Sequence, residues 1–255
     1  MTFLHDRVAA GERLFGTWCN LGSSITVEMA GIAGFDWVLI DLEHGAGDQE
    51  SLVAQVQAAT AAATAPIVRI AWNDPVRFKR VLDLGVCGVM VPYVQTADEA
   101  YAAVRAMRYP PDGVRGVASL TRATGFGAGF ADYFDRANRE LLTIVQIETP
   151  TAVENADRIA AVDGVDVLFI GPLDLSTAMG IQGQYTNPHF LDAVDAVTGA
   201  AQKHGKASGT LVLDPAMLDP MMDRGMTFIA MGSDGGLVAS GMRANAALLA
   251  RLREA

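Results

Sequence analysis

The stretch Asp36-Trp37-Val38-Leu39-Ile40-Asp41-Leu42-Glu43-His44-Gly45 decides how this chain is read. Four apolar residues, Trp37 to Ile40, run into Asp41, Glu43 and His44, and Gly45 closes the turn. A run so short, rich in β-branched and aromatic residues, reads as a strand buried on both faces. Three ionisable groups at its end are costly to bury unless they are paired, bind a metal or line the mouth of a cleft. The function of the chain therefore turns on what other strands bring to meet them.

Outward from this stretch the same pattern recurs. Strands are predicted over Leu14–Cys19, Trp37–Leu42, Ile67–Ala71, Val86–Val94, Leu141–Ile147, Val165–Ile170, Lys206–Leu211 and Thr227–Met231. Helical patterns fill the gaps: Ser24–Gly34, Gln49–Thr64, Thr151–Ala161, Asn187–His204, Pro215–Arg224 and Gly236–Leu252. Two further helices announce their starts. Asp74-Pro75 supplies an N-cap and a first-position proline, and Thr96-Ala97-Asp98-Glu99 reads as a capping box for a helix reaching Met107. Eight strands alternating with helices predict a parallel sheet, and the number eight favours closure into a (β/α)8 TIM barrel. The length of 255 residues suits one such domain spanning 1–255.

Composition narrows the function classes. Hydrophobic residues make up 51% and charged residues 19%, enough for a large core and unlike a disordered chain. A formal net charge of −10 argues against nucleic acid or an anionic membrane as partner. It is silent about a small acidic substrate, because one arginine or metal overrides the global field locally. The opening MTFLHDRVAAGE is charged and helix-like rather than a signal peptide, and no apolar run approaches the ~20 residues that span a bilayer. Cys19 and Cys87 fall in or beside strands and read as reduced core residues, which fits the cytoplasm. One gap, Tyr109–Glu140, is long for a compact domain. Following the fourth strand, it is expected at the C-terminal face as a functional loop or lid.

The C-terminal face is where barrel chemistry is built, so the strand ends are read for ionisable residues. The second ends in Asp41, Glu43 and His44, and the third carries Arg69 in an apolar context. The fifth reads Thr-Ile-Val-Gln-Ile-Glu, which puts Gln146 and Glu148 on one face by the two-residue period. The sixth runs into Gly171-Pro172-Leu173-Asp174. Glu148 and Asp174 end adjacent strands, so their carboxylates can converge. Two carboxylates, waters and a bidentate substrate make an octahedral oxygen site for Mg²⁺ or Mn²⁺. Backbone N–H groups at the start of the short helix after Gly171 can hold a substrate carboxylate.

Each residue also has a plainer reading. A strand-end acid can be a helix cap or surface ion pair, Arg69 can salt-bridge Asp41 or Glu43, and His44 can be a satisfied buried histidine. What favours a site is coincidence: His, Arg, Gln, Glu and Asp fall at the same end of four strands. Lysines argue by scarcity. Lys79, Lys203 and Lys206 are the only ones, and none ends a strand, so a Schiff base has no candidate and a metal-dependent route is preferred.

The segments GFDWVLIDLEHG, PIVRIAWNDPVRFKRVLDLG, YPPDGVRGV, VQIETPTAVEN and FIGPLDLSTAMG, in that order, resemble the HpcH/HpaI class II pyruvate aldolases. The resemblance covers most of Phe15–Gly232. It implies a metal-dependent aldolase that reversibly cleaves 4-hydroxy-2-oxo acids to pyruvate or a related 2-oxo acid plus an aldehyde. It implies that Glu148 and Asp174 bind Mg²⁺, Mn²⁺ or Co²⁺, while Gln146, Asp174 and the backbone around Leu173 hold the 2-oxo acid. It further implies His44 as base, Arg69 as stabiliser of enolate charge, and Asp83 as the group that raises the basicity of the histidine. Asp83 stands at the end of a helix leading into the fourth strand, far from its own barrel's mouth. The two agree if Asp83 serves a neighbouring subunit, in keeping with the hexamers, with the last helix exchanged, that the resemblance implies. Leu173 departs from the alanine commoner in the family and fills space beside the carboxylate pocket. Other readings stay open. An acyl-CoA lyase of the citrate-lyase-beta type would use Arg115, Arg122 and Arg136 as a basic groove, oxaloacetate decarboxylation is a third chemistry, and a non-catalytic 2-oxo-acid-binding barrel is a different class.

Overall fold

The computed structural model describes residues 4–254. Eight strands form it: β1 Leu14–Cys19, β2 Trp37–Asp41, β3 Ala65–Arg69, β4 Gly88–Val91, β5 Leu142–Ile147, β6 Val167–Ile170, β7 Ala207–Val212 and β8 Phe228–Ser233. They pair in chain order, all parallel, and β8 returns to β1, closing a (β/α)8 barrel as expected. The helices are α1 His5–Ala9, α2 Ser24–Ile32, α3 Gln49–Ala61, α4 Pro75–Leu82, α5 Ala97–Met107 and α6 Phe130–Glu140. They continue with α7 Pro150–Glu154, α8 Ala156–Ala160, α9 Pro172–Ala178, α10 Pro188–Lys203, α11 Leu218–Asp223 and α12 Asp234–Glu254.

The starts of α4 and α5 are set by their caps. Asp74 accepts from the Val76 N–H, and Thr96 and Glu99 form a reciprocal capping box. The two-residue period divides each strand between two cores. Trp37, Leu39, Ile67, Ile144 and Phe169 fill the barrel, while Val38, Ile40, Val68 and Val145 face the helices. Trp37 stacks on Phe228 with ring centroids 4.2 Å apart. Gly16 makes room for it, because a Cβ there would collide with the indole. Leu4, just ahead of α1, and Val8 within it join this inner core. Neither Cys19 nor Cys87 is in a disulfide; both are buried, which pushes each thiol up to about 12. Among the described residues no helix is long and apolar enough to cross a membrane.

The long connection is a correction. It was expected over the C-terminal face, yet α5 carries the chain back to the end where strands begin, and the segment after it packs there. The Ala123 N–H donates to the Asp83 carbonyl and the Arg122 guanidinium to the Leu84 carbonyl, both just ahead of β4. Helix α6, not foreseen inside this segment, leads directly into β5.

Candidate active site

Strand register builds the first half of the site. Asp41 and Arg69, the last residues of β2 and β3, are register partners, and both point into the barrel mouth. Their side chains form a two-point ion pair, Arg69 Nε to Asp41 Oδ1 at 2.9 Å and Nη2 to Oδ2 at 2.6 Å. Arg69 Nη1 lies 3.0 Å from Glu43 Oε2, and the guanidinium carbon sits 5.4 Å from the Trp18 ring centroid. Nε and Nη2 are thereby hydrogen-bonded to Asp41, and Nη1 is ion-paired with Glu43. Burial pushes the Asp41 carboxyl up, but hydrogen bonds from Arg69 and from the backbone N–H groups of Glu43 and His44 outweigh it and hold the group below its ordinary range. Burial raises Glu43 instead.

Asp41 therefore does two jobs that sequence reasoning left undivided between it and Glu43. It grips Arg69, and its Oδ1 accepts the N–H groups of Glu43 and His44, fixing the turn that carries the imidazole. Glu43 is the acid beside the ring, with Oε1 3.9 Å from His44 Nε2. The imidazole itself is not a satisfied buried histidine: its side chain is 71% exposed.

The second half comes from β5 and β6. Gln146 and Glu148 share the inward face, with Gln146 Nε2 donating to Glu148 Oε2 at 3.3 Å. The Glu148 carboxylate is buried beneath the mouth. Desolvation pushes its pKa up to about 7 against the Tyr93 N–H that Oε1 accepts at 2.7 Å, and the charges of Asp174 and Glu43 raise it further. Asp174 lies in the first turn of α9 and is exposed beside the exposed Leu173. Gly171 makes the approach possible, since a Cβ there would stand 2.5 Å from Glu148 Oε2. Two carboxylates of like charge, one of them desolvated, together with the buried and unpartnered Gln146 Oε1, make an all-oxygen donor set. That chemistry fits a hard divalent cation. No cluster of three or more His, Cys, Asp or Glu ligands occurs among the described residues, so remaining positions would fall to amide oxygen, water or substrate.

Tyr93 was missed. It holds Glu148 through a backbone N–H, a group every residue but proline carries, and it does so at φ 57°, where a tyrosine is unusual. Its ring stacks on Trp72 at 6.3 Å. Asp83 is not brought to His44 within the chain. It caps the end of α4, where its Oδ1 accepts from Arg115 Nη2 at 3.2 Å. The basic groove expected from Arg115, Arg122 and Arg136 does not form at the mouth. Arg115 is buried beside Asp83, Arg122 is spent on Leu84, and Arg136 pairs with Asp132 and Glu140 on α6.

Known proteins share this architecture. Residues 14–241 match the HpcH/HpaI aldolase/citrate lyase family. The chain is 41% identical over 233 residues to a 5-keto-4-deoxy-D-glucarate aldolase of Klebsiella pneumoniae subsp. pneumoniae, covering 91% of each chain. It is 42% identical over 234 residues to a protein of that same name from Salmonella arizonae, covering 92% of this chain and 91% of the other. A crystal structure of an HpcH/HpaI aldolase/citrate lyase family protein from Burkholderia cenocepacia J2315 superposes with a TM-score of 0.90 at 36% identity, covering 98% of both chains.

Proposed function

The chain belongs to the HpcH/HpaI aldolase/citrate lyase family and is a carbon–carbon lyase of the aldolase kind, and we propose that it reversibly cleaves 4-hydroxy-2-oxo acids to pyruvate or a related 2-oxo acid plus an aldehyde. The 5-keto-4-deoxy-D-glucarate of its relatives' names, counted from its other carboxyl end, is a 4-hydroxy-2-oxo acid. The observation that carries the reading is the buried Glu148 carboxylate, whose acidic neighbours Asp174 and Glu43 leave it short of positive charge at the mouth of the barrel.

Glu148 and Asp174 would hold a divalent cation there, Mg²⁺, Mn²⁺ or Co²⁺. Such an ion supplies Lewis acidity at the substrate carbonyl. The remaining work falls to side chains. Gln146 orients the 2-oxo acid through its amide, and the backbone around Leu173 faces the carboxylate. The Arg69 guanidinium, held by Asp41 and Glu43, stabilises the negative oxygen that develops when the C3–C4 bond breaks. His44 takes up the C4 hydroxyl proton as the bond breaks and delivers a proton to C3 of the enolate; in condensation it removes the C3 proton and the new C4 oxygen is protonated in turn. Its exposure lets it exchange that proton with water. None of the three lysines lies buried in the barrel, and Lys203 is paired with Asp157, which disfavours an iminium route.

Assembly belongs to the same proposal. Helix α12 exposes Leu237, Met242, Leu248, Leu249 and Leu252, an apolar face that a neighbouring subunit would cover in a homo-oligomer. In such an assembly, taken as a hexamer in the cytoplasm, Asp83 of one subunit would lie beside His44 of the next. The test is pyruvate release from a 4-hydroxy-2-oxo acid, with and without chelator. Release that stops in EDTA and returns with Mn²⁺ is expected; release that survives EDTA, with borohydride trapping a lysine adduct, overturns the reading.

A further inference from the structure

Away from the barrel mouth, one charged side chain is built into the protein in a way that stability alone does not explain. Arg115 has a fully buried guanidinium (0% side-chain exposure), facing a single carboxylate, Asp83, that is itself 28% exposed. Its carbon lies 4.3 Å from the Tyr109 ring centroid and 5.5 Å from that of Tyr133. Nη2 donates both to Asp83 Oδ1 and to the Tyr133 hydroxyl, each at 3.2 Å. Nε and Nη1 are buried without a hydrogen-bond partner. An arginine kept only to neutralise an acid would offer its two-point fork, as Arg69 does to Asp41. Here the guanidinium lies between two rings and meets one oxygen of Asp83, Oδ1, while the Asp83 side chain stays 28% exposed.

The backbone reinforces that setting. The Arg115 N–H donates to the Arg108 carbonyl at 2.9 Å, and the Ala123 N–H to the Asp83 carbonyl at 3.0 Å. Gly113 allows the turn, since a Cβ there would collide with the Arg108 carbonyl oxygen. The segment from Arg108 to Ala123 is thus tied by its backbone to the end of α4, where Asp83 stands.

We propose that Arg115 is a positioning residue: clamped between Tyr109 and Tyr133, it holds Oδ1 of Asp83 so that Oδ2 is presented to the imidazole of a neighbouring subunit's site. This rests on the reading that Asp83 serves a neighbour's His44. Within its own subunit the charged group nearest that imidazole is Glu43, so Asp83 would add a second negative charge and raise its basicity.

The experiment follows exchange of the pyruvate methyl protons in D2O by NMR, as a function of pH, with the assembled enzyme saturated in Mn²⁺. This readout needs no aldehyde. Wild type, D83N, R115K, Y133F and the D83N/R115K pair are compared, with oligomeric state checked for each. Losing Asp83 should move the acid limb of the profile down by about one pH unit. R115K keeps the charge but not the plane, and is expected to shift the same limb and to lower the exchange rate about tenfold without changing pyruvate KM. The pair should be no worse than D83N alone, because one effect acts through the other. If R115K fails to assemble, Y133F, which frees Nη2 from its second acceptor, should show the same shift in smaller measure. A shift in D83N with a wild-type profile in R115K, or in Y133F where R115K does not assemble, overturns the role of Arg115. A wild-type profile in D83N overturns the reading of Asp83 beneath it.

Discussion

Asp41 and Arg69 are register partners on adjacent strands whose side chains close a buried two-point ion pair, and the same Asp41 oxygen that meets Arg69 Nε also accepts the N–H groups of the turn bearing His44. One carboxylate thus sets both the cation that would stabilise developing charge and the imidazole that would move the proton. Replacing it should damage stability and rate together. Removing one partner of a buried pair costs about 3–5 kcal/mol. Asp41→Asn is expected near that scale in urea unfolding. Asp41→Asn combined with Arg69→Met should regain part of the stability and none of the activity.

The same pair has a pH signature. The folded Asp41 carboxyl lies below its ordinary value of 3.8, so its contribution is complete above 3.8 and disappears as pH falls through the lower folded value. Acid unfolding of the wild type should therefore steepen below pH 3.8, and Asp41→Asn should lack that component when the two are monitored by circular dichroism.

Arg69→Ala tests the charge-stabilising role apart from binding. With the cation saturating, turnover should fall on the order of 10²–10³, the scale for one group facing a developing oxyanion. Cation affinity should change little. Full turnover in Arg69→Ala would assign Arg69 to structure alone.

Glu148 has the opposite sign to Asp41. Its folded pKa, raised from 4.5 to about 7, favours the neutral form. In protein stripped of divalent ions its contribution is fully present below pH 4.5 and is lost as pH rises to about 7. That span corresponds to a loss on the order of 3 kcal/mol. Thermal unfolding of the stripped protein should show a falling Tm across this window, Glu148→Gln should flatten it, and adding Mn²⁺ at pH 8 should restore the wild type but not the variant.

The apolar stripe on α12 predicts dependence on a partner subunit. A chain ending at residue 235 should lose the wild-type oligomeric state in analytical ultracentrifugation. It should also lose proton exchange at the pyruvate methyl, if Asp83 of one subunit serves another.

The barrel was legible because parallel strands buried on both faces leave a plain mark. Where Val, Ile and Leu cluster between turn residues, as in Trp37–Asp41 and Val167–Ile170, the strand stands within two residues of its expected bounds; β4 is the exception, ending at Val91 and not at the expected Val94, just ahead of Tyr93 with its positive φ. The inward set Gln146 and Glu148 was given by the two-residue period. Three things were not legible, for physical reasons. Tyr93 acts through its main chain, which no residue type announces. The path after α5 was misplaced because a crossover helix returns the chain to the strands' starting end, so residues beyond that helix lie opposite the mouth. Within that segment α6 did leave a signal, the i, i+4 series Asp132, Arg136 and Glu140, whose ion pairs the structure contains. The division of labour between Asp41 and Glu43 depended on strand register, which sequence spacing along one strand does not specify.

The most direct measurement is calorimetric titration of Mn²⁺ into stripped wild-type protein, Glu148→Gln and Asp174→Asn at pH 7.5, each checked for folding. One site per chain in the wild type, lost or weakened by about two orders of magnitude in both folded variants, is the predicted result. Wild-type affinity in both would contradict the assignment of the cation to the ends of β5 and β6, and with it the proposed chemistry.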